Sequence, residues 1–297
     1  MSAIPLKYHL ARFIGHQHYI RRGRDRVIRL LLGGDDNSTI RFSVDFFGNI
    51  YSGELNNFID WSVYIYGAYS NNELQLLRDI AQALRAEYGH TTFYDVGANV
   101  GQHTLFMSKC SDEVISFEPF KPVRTKLLQK LEENKIRNVR VFPIGLGARD
   151  EDLAFSLPTG VNLGTGSFRG AADAKARLNL PVRQGDTFFA TNQLPRIDIL
   201  KVDVEGFESA VFEGLRERLR RDRPIIVTEI SGTDRSGFGT LDGFATAMYD
   251  DFELFAVGCT SISGTYRIER ASFQTDGEFL VVPRELKRIL NHFLPRW

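Results

Sequence analysis

With 297 residues the chain can form one large or two small domains around a proper core, and 43% apolar with 25% charged residues is the make-up of a soluble globular protein. Its 37 Lys and Arg balance 37 Asp and Glu, so the bulk field argues neither for nor against a nucleic-acid partner, and none is expected. Cys110 and Cys259 make no disulfide framework, no Cys/His cluster suggests zinc, and no apolar run is long enough to span a membrane or resembles a signal peptide, so a reduced cytoplasmic setting is the expectation.

Up to Leu32 the cations Lys7, Arg12, Arg21, Arg22, Arg24, Arg26 and Arg29 face Asp25 alone, with His9, His16 and His18 among them. Such a segment reads first as a solvated extension and second as a contact for a peripheral membrane surface, an anionic substrate or another subunit. From Ile40 to Ile65 apolar and polar residues alternate around turn signals at Gly48-Asn49 and Ser52-Gly53, which predicts strands or a hairpin. ELQLLRDIAQALRAEYG then has helical spacing, with Gly89 as its C-cap. Residues 1–90 are read as an N-terminal accessory region, and 91–297 as the main domain.

The main domain alternates strand and helix. TTFYDV, EVISFEPF, NVRVFPIGLG, IDILKVDVEG and PIIVTEIS are apolar strand candidates, and PVRTKLLQKLEENK and ESAVFEGLRERLRRD are helices between them. Strands this apolar separated by helices predict an α/β fold with a mostly parallel sheet covered on both faces. FELFAVGC and GEFLVVPR have little room for a helix between them and are expected as an antiparallel edge pair. An insertion at about 151–190 carries two strand candidates, EDLAFSLP and NLPVRQGD, around a long loop rich in small residues.

After the strand that ends at Asp95, Gly97-Ala98-Asn99-Val100-Gly101 opens a helix, where glycines let backbone N–H groups approach a ligand. A dinucleotide fingerprint would place glycine at position 99, where this chain has asparagine, and no phosphate loop is present. Glu118 follows the glycines by about twenty residues, at the end of the next strand, where an acid grips ribose hydroxyls. Two carboxylates beside a site not built for pyrophosphate suit a nucleoside that carries positive charge, and S-adenosylmethionine fits that description. The bland alternative is a helix cap beside an exposed acid.

FYDVGANVG, FEPF, Asn134, VFPIGLGARD and ILKVDVEGFE, in this order, resemble the FkbM family of S-adenosylmethionine-dependent methyltransferases over roughly residues 90–235. IDWSVYIYGAYSNNE is also similar to the segment that precedes that family's domain. The resemblance implies a Rossmann-like class I methyltransferase sheet of seven strands, mostly parallel with the last antiparallel. It also implies O-methylation of a hydroxyl on a sugar, glycolipid or secondary metabolite. By position, Asp95, Gly97, Asn99 and Gly101 would surround the methionine part of the cofactor, Glu118 would hold the ribose, and Ile144 and Gly145 would lie near the adenine. FEPF departs from the family in its final phenylalanine, and QGDTF is only loosely similar to its segment around Asp186.

KVDVEGFE places Asp203 at the end of a central strand, with Glu205 beyond it, Lys201 on the same face, and Val202 and Val204 turned into the helical layer. The next strand ends at Glu229, so three carboxylates converge on one edge. Asp203 or Glu205 is a candidate general base, with mutual repulsion raising one pKa and Lys201 opposing it. The same acids could instead hold Mg²⁺, and the reading leans to no metal. Asn162, Thr165, Ser167 and Arg169 of the small-residue loop are candidate acceptor contacts for a small-molecule or glycan hydroxyl, against the alternative of a plain surface loop. His103 reads as a packing residue, and Tyr64, Tyr66 and Tyr69 as core or interface rather than a roof. Two rival functions remain open: a nicotinamide-dependent oxidoreductase and a non-catalytic nucleoside-binding module.

Overall fold

The computed structural model describes residues 4–17, 23–33, 39–156, 177–232, 234–259, 266–292 and 294. After the helices Leu6–Gly15 and Arg24–Leu32, β1 (Arg41–Phe46) and β2 (Asn49–Glu54) form an antiparallel hairpin. Its two-residue turn, Phe47-Gly48, lies in the left-handed region at φ 51° and 77°, which matches the twist of the strands. The strand reading through Ile65 fails beyond this hairpin. Asn57 accepts the Asp60 backbone N–H at 3.0 Å and caps a helix over Phe58–Tyr66. That helix is buried along most of its length, and a short apolar run of this kind carries no periodicity to separate it from a strand. The next helix, Asn71–Tyr88, ends on Gly89 at φ 77° as its sequence predicts.

Eleven further strands follow: β3 (Thr92–Val96), β4 (Glu113–Phe117), β5 (Val139–Phe142), β6 (Gly145–Gly147), β7 (Glu151–Ser156), β8 (Arg177–Gln184), β9 (Ile199–Val202), β10 (Ile225–Ile230), β11 (Phe252–Cys259), β12 (Tyr266–Arg270) and β13 (Gly277–Pro283). The main sheet runs β12-β11-β13-β10-β9-β3-β4-β5. Strands β3, β4, β5, β9 and β10 are mutually parallel, and β13 is antiparallel to both β10 and β11. This is the Rossmann-like class I methyltransferase sheet with its last strand antiparallel. It has the seven expected strands and an eighth, β12, on the outer edge of β11.

The third strand of the sequence reading divides in two. Residues up to Phe142 stay in the main sheet, and beyond Pro143, which has no N–H to give a ladder, β6 pairs instead with β8. With β7 these form a second sheet, β6-β8-β7, so the insertion is anchored by its own strands.

Alternation along the central strands divides the core. Phe93, Val114, Ile199, Ile225, Val227 and Leu280 point to the face covered by the accessory helices, in one continuous apolar cluster that reaches back to Tyr8. Tyr94, Ile115, Leu200, Val202, Ile226 and Val281 point to the other, against Phe189, Phe212 and Leu219 of the helical layer. The accessory region therefore shares a core with the sheet.

Candidate active site

The carboxyl ends of β3, β4 and β9 open into a cleft of about 110 Å³. Gly97, Ala98, Asn99 and Val100 form one wall, Glu118 and Phe120 another, and Lys201, Asp203 and Glu205 a third. Phe58, Ile59 and Tyr69 of the accessory region and Phe155 of the insertion complete it.

The glycine turn is held by backbone geometry. Gly97 (φ 88°) and Ala98 both donate to Phe117 O at 3.1 Å, and a Cβ at Gly97 would stand 2.0 Å from Asp203 O. Only glycine allows β3 and β9 to end this close together. Asn99 takes the left-handed conformation (φ 53°) that asparagine tolerates, and its side chain accepts the Val100 N–H at 2.8 Å. Gly101 lies behind the wall, with its vacant Cβ position 2.2 Å from Leu127 Cδ1.

Glu118 braces this turn. Its Oε2 accepts the Asn99 N–H and its Oε1 the Phe120 N–H, both at 2.8 Å, leaving one lone pair on each oxygen for a ligand. Burial pushes its pKa up to about 7, although these two N–H groups favour the carboxylate. Asp95 is buried beneath the cleft: Oδ2 accepts from Thr104 Oγ1 at 2.6 Å, and Oδ1 has no hydrogen-bond partner.

Lys201 lies across from Asp95 in the β3–β9 register and is buried. Its Nζ donates to Asp203 Oδ2 at 3.0 Å and stands 4.0 Å from Glu73 Oε1. Burial alone would lower its pKa, but the charges of Asp203, Glu73 and Asp95 outweigh that and raise it, so the ammonium is a permanent cation. Glu205 sits in the left-handed region (φ 53°) with its surface open to solvent. Partial desolvation first, then the charges of Asp203, Glu229 and Glu208, push its pKa up to about 7. Glu229 is also raised to about 7, by desolvation and then Asp203, and lies one step beyond the cleft with Asp203, Glu73 and Glu278.

Two sequence assignments fall elsewhere. Ile144 and Gly145 are buried, Ile144 within the core cluster of the helical layer, and neither lines this cleft, because the chain turns into β6 at that point. Asn162, Thr165, Ser167 and Arg169 lie outside the described residues.

Sequence reasoning missed several contributors. His103 Nε2 lies 3.1 Å from Glu73 Oε2, and both side chains are buried. Burial alone would raise the pKa of Glu73, but His103 and Lys201 hold it down at about 2. Glu278 on β13 is directly opposite Glu229 in the register, and burial followed by the Glu73 charge keeps its carboxyl pKa well above the ordinary range. Tyr69 lines the cleft, and its hydroxyl is pushed up to about 12 by desolvation and then by Asp203. It is pinned by Gln102, which accepts the Tyr69 N–H at 2.7 Å and donates to Tyr69 O at 3.1 Å. None of these pairings is local in sequence, so no spacing rule reveals them. Among the described residues, no three His, Cys, Asp or Glu side chains are grouped as a ready cation site.

The profile described as Methyltransferase FkbM domain matches residues 95–255. Hexuronic acid methyltransferase AglP from Haloferax volcanii is 29% identical over 145 residues, which cover 48% of this chain and 56% of that protein. Methyltransferase 1 from Beauveria bassiana is 27% identical over 143 residues, 41% of this chain and 57% of that one. The chain thus spans little more than half the length of these curated relatives. Among solved structures, Methyltransferase FkbM from Methylobacillus flagellatus KT superposes with a TM-score of 0.43 at 16% identity, covering 65% of this chain and 43% of that chain.

Proposed function

The chain belongs to the FkbM methyltransferase family, whose methyl donor is S-adenosylmethionine, and from that premise we propose that it O-methylates a hydroxyl of a sugar, glycolipid or related small molecule. The observation that carries this reading is the contact between the glycine turn and the Lys201–Asp203–Glu205 edge, which brings a nucleoside site and a proton acceptor into one cleft. S-adenosylmethionine supplies an electrophilic methyl group on a sulfonium. The residues present fit it: the free lone pairs of Glu118 suit ribose hydroxyls, and the orphaned Asp95 Oδ1 with Asp203 gives the cleft negative charge toward a cation.

Glu205 is the base in this reading. Asp203 is committed to Lys201 as an ion pair, whereas Glu205 faces the cleft with a pKa near 7, where a general base works best at neutral pH. Lys201 pairs with Asp203, and the Asp203 charge, after desolvation, raises Glu205. Phe58, Tyr69 and Phe155 help to exclude water and orient the acceptor. The hexuronic acid named for the Haloferax relative supports a sugar acceptor. The local acids Asp203, Glu205 and Glu229 favour a sugar that turns an uncharged hydroxyl, not a carboxylate, toward them.

The nicotinamide reading finds no support, since Asn99 replaces the fingerprint glycine and the matched family is one of methyltransferases. The test is calorimetric titration with S-adenosylmethionine, S-adenosylhomocysteine and NAD, followed by incubation with neutral and uronic glycosides and a search for products heavier by one methyl group. Binding of NAD without either adenosyl ligand sinks the proposal. Binding of the adenosyl ligands with no transfer to any glycoside overturns the sugar acceptor, and transfer that survives Glu205→Gln overturns the assigned base.

A further inference from the structure

The two N-terminal helices carry an apolar surface that methyl transfer does not use. Helix Leu6–Gly15 buries Tyr8, Ala11 and Gly15, and helix Arg24–Leu32 buries Ile28 and Leu32. Away from those faces, Leu6, Leu10 and Phe13 are 72%, 46% and 67% exposed, at spacings of four and three that align them in one stripe. Val27 and Leu30, 44% and 75% exposed, form a second stripe on the neighbouring helix. Single exposed leucines are ordinary, but five large apolar side chains on two packed helices make a patch that calls for a partner.

The charges around the patch are mostly positive. Arg26 and Arg29 are exposed and flank Val27 and Leu30, and Lys7 adjoins Leu6, with its Nζ donating to Leu32 O at 3.2 Å. Asp25, the sole acid of these two helices, is engaged by Arg24 and by the Tyr66 hydroxyl at 3.0 Å. A two-fold contact with a second copy would set these cations against each other. An anionic lipid surface complements both features, taking the apolar stripes into the headgroup–acyl boundary and the cations onto phosphates.

We propose that helices Leu6–Gly15 and Arg24–Leu32 form a peripheral anchor that docks the protein on an anionic membrane surface. The anchor is joined to the cleft. Arg12 Nη1 donates to Tyr64 O at 2.8 Å and the Arg24 guanidinium covers the Tyr66 ring at 5.0 Å, both on the helix whose Phe58 and Ile59 wall the site. Docking would therefore hold the cleft mouth near acceptors carried in the membrane, such as a sugar on a lipid. The surface stands independently of the reaction assigned above.

Co-sedimentation of the full chain with phosphatidylcholine vesicles, with and without phosphatidylglycerol, tests the anchor. The chain should pellet with the anionic vesicles, less with the neutral ones, and less as salt is raised. Because the substituted side chains are exposed, Leu10→Glu/Phe13→Glu and Leu30→Glu should melt at the wild-type temperature, while their partition onto anionic vesicles falls by roughly tenfold or more. The proposal is overturned if the wild type does not pellet, if the variants pellet equally well, or if phosphatidylglycerol makes no difference. It is equally overturned if the wild type forms a dimer that the same substitutions abolish, since the patch would then belong to a second copy.

Discussion

The turn after β3 and the turn after β9 are built alike and behave oppositely. Each follows a buried strand and bends through left-handed residues, Gly97, Asn99 and Gly101 in the first and Glu205 and Gly206 in the second. In the first, the acid is used structurally: Glu118 accepts two backbone N–H groups and Asp95 holds Thr104, so the wall keeps one shape. In the second, the acids crowd one another beside a buried lysine, and desolvation followed by the Asp203 charge pushes the Glu205 pKa up to about 7. In the proposed reading, backbone hydrogen bonds make the cofactor's cradle and crowded side-chain charge makes the reagent; Gly97 lets the two turns touch.

The largest effect should come from disarming the second turn alone. Glu205→Gln keeps the shape of the side chain and removes the proton acceptor, so kcat should fall by about 10³-fold, within the range a general base contributes. S-adenosylhomocysteine affinity measured by calorimetry should stay unchanged. In the wild type, the rate should rise with pH through about 7 as Glu205 ionises. A flat profile, or equal loss of binding and turnover, would erase the division between cradle and reagent.

Lys201→Met attacks the charge balance. It leaves Asp203, Glu73 and Asp95 without their buried cation, and urea unfolding should show a loss of about 3 kcal/mol. Adding Glu73→Gln should return part of that loss; strict additivity of the two changes would show that they do not interact.

Gly97→Ala probes the cradle. With φ at 88° and Asp203 O at 2.0 Å from the new methyl, the two turns must separate. Cofactor affinity should drop by about a hundredfold, the upper end of what one strained backbone position costs. Unaltered titration isotherms would mean that the close approach has no bearing on binding.

Glu118 makes stability itself depend on pH. Its folded pKa, about 7, lies above its ordinary value of 4.5, so the folded chain binds this proton more tightly than the unfolded one. Stability from this group is complete below about 4.5 and declines as pH rises to about 7, by a total on the order of 3 kcal/mol. Glu118→Gln should flatten that part of the stability curve, as measured by urea midpoints across the range.

The sheet and the glycine turn were legible because they are local patterns. Apolar runs of strand length, Gly97 and Gly101 after Asp95, and Glu118 and Asp203 at strand ends all announce themselves within a few residues. The helix Phe58–Tyr66 was not, because its buried apolar run has no polar face to reveal a period. Nor was the break at Pro143, since VFPIGLG reads as one strand until β8 offers β6 a partner. Glu73, His103 and Glu278 were hidden for another reason: a helix, a second helix and the last strand bring them together, and only the folded sheet makes them neighbours.

Glu73 also bears on inheritance and engineering. The segment before residue 91 looks detachable by sequence, yet it carries the buried carboxylate that faces Lys201 and packs into the apolar cluster on one face of the sheet. A chimaera that takes this segment from a relative must therefore bring a carboxylate at position 73, or the graft will leave Lys201, His103 and Glu278 without the partner around which they are arranged.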